Sequence, residues 1–198
     1  MNPPGVEAWR PWTPRELAHR LAGVRAPWCV AGGWALDLWH GRETRPHEDI
    51  EIAIPRTAFS TIREALGSCE VFSAGSGSVI HLPHGEQPPA DRHQIWVLDP
   101  TAREWRTDVF LEPGDDQTWV YRRDEQFQLP RREAIGHSAE GIPYLRPELV
   151  LLFKAKTTRP KDERDFATAL PSLDVHARRS LGEWLERLHP GHAWIARL

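Results

Sequence analysis

The chain has 198 residues, and its 25 Lys plus Arg against 28 Asp plus Glu give a formal charge of −3. That balance excludes the strongly basic surface that grips duplex nucleic acid. No apolar run approaches the ~20 residues that cross a bilayer, and Met1-Asn2-Pro3-Pro4-Gly5 lacks the layout of a secretory leader. A cytoplasmic protein with no membrane partner is expected, with Cys29 and Cys69 as reduced packing thiols. Ten Trp beside two Tyr suggest that part of the indole surface lines a pocket as well as a core.

Thr13-Pro14-Arg15-Glu16 joins a capping hydroxyl, a proline at the first helical position and a glutamate three residues on, which predicts a helix to about Val24. The apolar run Trp28 to Ala31 halts at Gly32-Gly33, and Trp34 to Trp39 has helical spacing up to Gly41. After a polar stretch, Asp49-Ile50-Glu51-Ile52-Ala53-Ile54 alternates as a half-buried strand ended by Pro55, and Arg56 to Leu66 reads as a helix. Short β-favouring runs follow at Val79 to Leu82, Gln94 to Leu98 and Arg106 to Leu111, broken by Gly, Pro and Asp clusters, as in an antiparallel region. Gly75-Ser76-Gly77-Ser78 reads as a loop. Helices are expected from Pro147 to Lys156, from Lys161 to Ala169, and from a cap at Asp174 to Leu188. A core over residues 1–125 with a helical segment over 126–198 packed on it, together one compact unit, is the expected organisation.

Alternation sends Asp49 and Glu51 to one face of their strand while Ile50, Ile52 and Ile54 pack on the other. Bare, the two charges repel; a hard divalent cation between them removes the conflict. Asp108, with Val109 and Leu111 facing away from it, can add a third carboxylate if its strand lies alongside. Three such carboxylates suit two-metal phosphoryl transfer, with ions roughly 4 Å apart. Taken alone, Asp-Ile-Glu-Ile more often describes a solvated strand face, since acidic residues there are common. The Gly32-Gly33 turn, free of Cβ atoms before a helix, lets phosphate oxygens approach backbone amides, although it matches neither a P-loop nor a dinucleotide-binding run. Arg42, Arg45, Lys154, Lys156 and Lys161 are candidate triphosphate ligands, Lys154 being favoured over Lys156 because the two face different ways on a helix. His47 is a candidate to orient the loop or touch phosphate. Glu112, Asp115 and Asp116 are candidates for the acceptor side, where acids would suit a cationic acceptor. His81, His84 and His93 have no standard metal-ligand spacing and read as loop histidines.

The segment from Gly32-Gly33-Trp34 through Gly41-Arg42-Glu43-Thr44-Arg45-Pro46-His47 to Asp49-Ile50-Glu51-Ile52 resembles the signature of antibiotic nucleotidyltransferases of the DNA polymerase β superfamily. Lincosamide nucleotidyltransferases and aminoglycoside 2''-adenylyltransferases carry the similar pattern. Arg106 to Leu111 resembles the strand bearing the family's third carboxylate, and Tyr144 to Lys156 with Arg159 to Phe166 resembles its C-terminal helices. The resemblance implies an α+β nucleotidyltransferase fold, a short mixed sheet flanked by helices with a helical C-terminal part. It implies Mg²⁺ (or Mn²⁺) held by Asp49, Glu51 and Asp108, which are the catalytic residues, and an NTP, taken as ATP, held by Gly32, Gly33, Arg42, Arg45, His47, Lys154 and Lys161. AMP would pass to a hydroxyl of a small molecule, an antibiotic being one such acceptor, and pyrophosphate would leave. A toxin-like transferase acting on tRNA or protein, and a non-catalytic nucleotide-binding protein, are the alternative uses of the same fold. Where the family has a second Asp this chain has Glu51, a longer ligand that shifts metal geometry.

Overall fold

The structure, a computed structural model, describes residues 1–198. Helix α1 (Pro14–Arg20) starts on the expected capping box, with the Thr13 side chain accepting from the Glu16 amide and Glu16 closing back on the Thr13 N–H. Strand β1 (Cys29–Ala31) runs straight into α2 (Gly32–His40), which ends where Gly41 adopts the left-handed conformation (φ 71°). Then come β2 (Glu51–Pro55), a single 3-10 turn, α3 (Phe59–Ala65), β3 (Glu70–Gly75), β4 (Ser78–Leu82), β5 (Gln94–Asp99) and β6 (Glu104–Glu112). The remaining elements are β7 (Thr118–Val120), β8 (Gln128–Pro130), α4 (Arg131–Ala134), β9 (Ile135–His137), β10 (Pro143–Leu145), α5 (Pro147–Ala155), α6 (Pro160–Ala169) and α7 (Val175–Leu188).

Eight strands form one mixed sheet in the order β4-β3-β5-β6-β2-β1-β10-β9, while β7 and β8 pair separately. The parallel neighbours are β2 with β6 and β1 with β10; all other pairs in the sheet are antiparallel. The run expected to be a plain loop at Gly75 to Ser78 is a tight hairpin, in which Ser76 and Gly77 both take positive φ, as a twisted two-residue turn requires. Residues 126–198, expected as a helical segment, also supply β8, β9 and β10, the last of which extends the sheet beside β1.

Strand alternation divides the core. Val30, Ile52, Ile54, Val109 and Leu111 face α1 and α3, whereas Cys29, Ala31 and Ala53 face the layer made by α5, α6 and α7. On this second face the side chains next to the small Ala31 and Ala53 are not packed over, and a cleft opens between sheet and helices. No helix is long and apolar enough to cross a membrane.

Candidate active site

The cleft, with a cavity volume of about 390 Å³, runs from the start of α2 along β2 and β6 to the segment after β7, roofed by the end of α5 and the start of α6. Its floor follows from register. Glu51 pairs with Asp108 across the parallel β2–β6 ladder and with Ala31 across β1, so both carboxylates leave the sheet on the cleft face, at the point where the chain enters α2. Asp49 lines the same cleft, yet it stands in the loop before β2; the strand begins at Glu51, two residues later than alternation predicts, although the Asp108 N–H still reaches the Ile50 carbonyl at 2.9 Å.

Gly32 takes φ +60° beside Glu51, and a Cβ there would collide with Glu51 Oε2. The same atom at Gly33 would lie 2.7 Å from the His47 ring. Ala31, at the cap position, offers no side chain to the first-turn amides of α2, leaving them for an anion.

Burial and mutual repulsion govern the acids. Asp108 is 4% exposed; its Oδ2 accepts from Gln94 Nε2 at 2.5 Å, and its Oδ1 is buried with no partner. Burial, then the neighbouring Glu51 and Asp49 charges, push its pKa well above the carboxylate range. Burial and Asp49 raise Glu51 to about 7, against the pull of Lys154, Lys161 and Arg159. No three or more His, Cys, Asp or Glu side chains are drawn together closely enough to make a ready metal site. Even so, an orphaned buried oxygen, paired acids with raised proton affinity and oxygen-only donors fit a hard divalent cation, whose charge would remove the strain these groups share.

The opposite wall is a chain of alternating charges. Asp37 on α2 accepts from Thr44 at 2.5 Å and bonds His47 Nε2 at 2.6 Å; burial opposes its charge, but these partners hold its pKa below the ordinary value. His47 stacks on Trp34 at 4.3 Å, and its Nδ1 lies 3.2 Å from Arg45 Nη1. Arg45 clasps Asp165 with two bonds of 2.8 and 3.0 Å, and Lys154 Nζ sits 2.9 Å from both Asp162 and Asp165. Arg159 completes the chain on Asp162 at 2.8 Å. Asp162 is buried, which opposes ionisation, yet Arg159 and Lys154 keep it charged far below the usual pH.

Of the residues singled out from sequence, Gly32, Gly33, Arg45, His47, Asp49, Glu51, Glu112, Lys154 and Lys161 line the cleft, and Asp108 lies under its floor. Arg42 does not: it is exposed beyond Gly41 and borders a shallow depression next to Trp34 and Glu140, because α2 ends before it. Lys156 is exposed at the end of α5. No indole lines the cleft; its aromatic walls are Phe110 and Phe153, while Trp96, the cross-strand partner of Asp108, packs edge to face with both Trp9 and Trp105 outside it. Asp115 is spent on its own turn, accepting from the Gln117 and Thr118 amides, and with Asp116 it borders a separate depression. Arg122, Arg123, Arg159, Asp162 and Asp165 are site residues that sequence reading passed over; the i, i+3 spacing of two acids after Arg159-Pro160 is the one signal that could have shown them.

Sheet order, cleft and carboxylate register together define a nucleotidyltransferase fold. The family model for aminoglycoside-2''-adenylyltransferase matches residues 15–77, which hold Gly32-Gly33 and the Asp49–Glu51 pair. Among solved structures the chain is similar to ANT(2'')-Ia in complex with adenylyl-2''-tobramycin, at TM-score 0.56 and 18% identity over 87% of this chain and 95% of that one. It is also similar to the lincosamide antibiotic adenylyltransferase LnuA bound to lincomycin, at TM-score 0.54 and 15% identity over 80% and 96% of the two chains. No curated protein matches the sequence. The matched segment and the fold are thus similar to those of antibiotic-type nucleotidyltransferases.

Proposed function

We propose that the chain is an adenylyltransferase that moves AMP from ATP to a hydroxyl of a small molecule, with release of pyrophosphate. The observation that carries this reading is the Glu51–Asp108 pairing, with its orphaned Asp108 oxygen, at the foot of a cleft whose other wall presents Lys154, Lys161 and Arg159. Asp49, Glu51 and Asp108 would hold Mg²⁺ or Mn²⁺, which supplies charge neutralisation of the triphosphate and polarises the α-phosphate. The first-turn amides after Gly32-Gly33 receive phosphate oxygens. Lys161, which pairs with no acid, and Lys154, held in place by Asp162 and Asp165, balance the charge that grows on the departing pyrophosphate. Asp108, once a cation offsets the burial and like charges that raise its pKa and leaves it ionised, would be suited to take the proton of the attacking hydroxyl. The new bond joins that oxygen to the α-phosphorus as the bond to the bridging oxygen breaks in line.

The antibiotic ligands of the two similar structures make hydroxyl-bearing antibiotics, cationic and uncharged alike, the acceptor panel to try. An ATP-consuming reaction suits the cytoplasmic location expected from the sequence. The test is to incubate the chain with each of the four NTPs, Mg²⁺ or Mn²⁺, and a panel of hydroxyl compounds, following pyrophosphate and product mass. An acceptor gaining the mass of AMP with metal-dependent pyrophosphate release is the expected result. Binding of Mg-ATP without pyrophosphate release across the panel would instead favour a non-catalytic nucleotide-binding protein.

A further inference from the structure

The end of the cleft away from Gly32-Gly33 is basic and apolar, and its charge is not balanced from within the chain. Arg122 and Arg123 both line it, and neither pairs with a carboxylate; Arg123 lies over the Phe153 ring at 5.1 Å and donates to the Phe153 carbonyl at 2.6 Å. Arg122 is half-buried and makes no hydrogen bond to the protein. The nearby acids are already committed. Glu112 accepts from Arg131 at 3.0 Å and from Trp119 Nε1 at 2.7 Å, and Asp124 accepts from Arg187 at 3.0 Å. Phe110 and Phe153 supply flat apolar surface between these guanidinium groups and the carboxylates. Two adjacent cations, one of them partly desolvated, repel each other and any third cation; an anionic oxygen group relieves both.

Resting on the adenylyltransferase reading, we propose that this end is the acceptor subsite and that it selects a hydroxyl compound bearing an anionic oxygen group on an apolar body, with Arg122 as its specificity-determining contact. A polycationic amino sugar, the acceptor that Glu112, Asp115 and Asp116 would have suited, meets uncompensated positive charge here. The triphosphate belongs at the other end, where Lys154, Lys161 and Arg159 are the cations that act on Glu51. Burial, reinforced by Arg123, already depresses the Arg122 pKa, the sign of a cation that lacks a counter-charge.

The test uses three probes that share a body and differ in charge: the p-nitrophenyl glycosides of glucuronic acid, glucose and glucosamine. Their binding to the full chain is measured by titration calorimetry, alongside Mg-ATP. The glucuronide should bind about tenfold more tightly than the glucoside, the gain of one charge-assisted contact, and the glucosaminide most weakly. Arg122→Gln should erase the preference and Arg122→Lys restore part of it, with thermal unfolding unchanged. Equal binding of the three, binding of none, or a preference for glucosaminide would overturn the proposal. So would an Arg122→Gln variant whose Mg-ATP affinity falls as far as its glucuronide affinity, since Arg122 would then serve the triphosphate. Failure of Mg-ATP to bind at all strikes instead at the adenylyltransferase reading, and the order of the three glycosides is read without it.

Discussion

Glu51 and Asp108 face each other across the parallel ladder of β2 and β6, so folding itself brings two carboxylates side by side on the cleft face. Ala31 and Gly32 leave room above Glu51, and burial makes both acids hold protons more tightly than acids in water. A chain does not gain stability from such a pair; under the proposed function a cation would offset its charge.

Neutralising one of these acids should therefore separate activity from stability. Asp49→Asn and Asp108→Asn are expected to lower adenylyl transfer on the order of a thousandfold, while the metal-free protein unfolds at the same or a higher temperature. Initial rates of pyrophosphate release and thermal unfolding in EDTA decide the matter. Full turnover by Asp49→Asn would remove it from the set of ligands.

The same pair sets a pH dependence. With Glu51 raised from 4.5 to about 7, the folded chain keeps a proton that the unfolded chain loses as pH climbs through that interval. Stability of the metal-free protein, fully present below about pH 4.5, should therefore decline up to pH 7. Glu51→Gln should flatten that part of the curve and be the more stable protein at pH 7.5. Unfolding temperatures recorded in EDTA between pH 5 and 8 give the slope directly; identical slopes for the two proteins would contradict it.

Asp165, itself buried, holds two partly buried cations at once, Arg45 from the loop after α2 and Lys154 from α5. Asp165→Ala strands Arg45 and leaves Lys154 with Asp162 alone, and should cost about 3 kcal/mol in denaturant unfolding, with Asp165→Asn milder because the amide oxygen still accepts. A loss below about 1 kcal/mol would mean that the charge chain adds little to the junction of helices and sheet.

Gly32→Ala puts a methyl against Glu51 Oε2 at a backbone angle of +60°, which L side chains rarely adopt. Strain of about 1–2 kcal/mol plus the displaced carboxylate should lower both unfolding temperature and the rate of transfer. Gly23, also at positive φ but with open space around it, is the control; its alanine variant should show the conformational cost and normal Mg-ATP affinity.

What could be read from the sequence was local. The Thr13 capping box, the Gly41 stop and the Asp174 cap place three helix ends, because each signal lies within four residues of what it controls. The alternation around Ile52 placed Glu51 on the cleft face but ran the strand two residues too far, since nothing in Asp49-Ile50 marks where pairing begins. Strands β9 and β10 are three residues each, too short to show a period; β10 exists because β1 offers it an edge, and β9 because β10 does. Asp165 was invisible as a partner of Arg45, 120 residues away, and Arg122 lacks any pattern that separates a cleft cation from a solvated one. Arg42 shows the converse: a residue inside a suggestive motif that the end of α2 turns outward.

The parallel pairing of Val30 with Tyr144 has a consequence for biosynthesis. As the polypeptide emerges from the ribosome, β1 must sit with a bare edge until β10 appears, and the lysines that would meet a triphosphate arrive later still. A nascent chain halted after the β6 hairpin would own its acids but none of their counterweights, so chaperone dependence should concentrate in that window of translation.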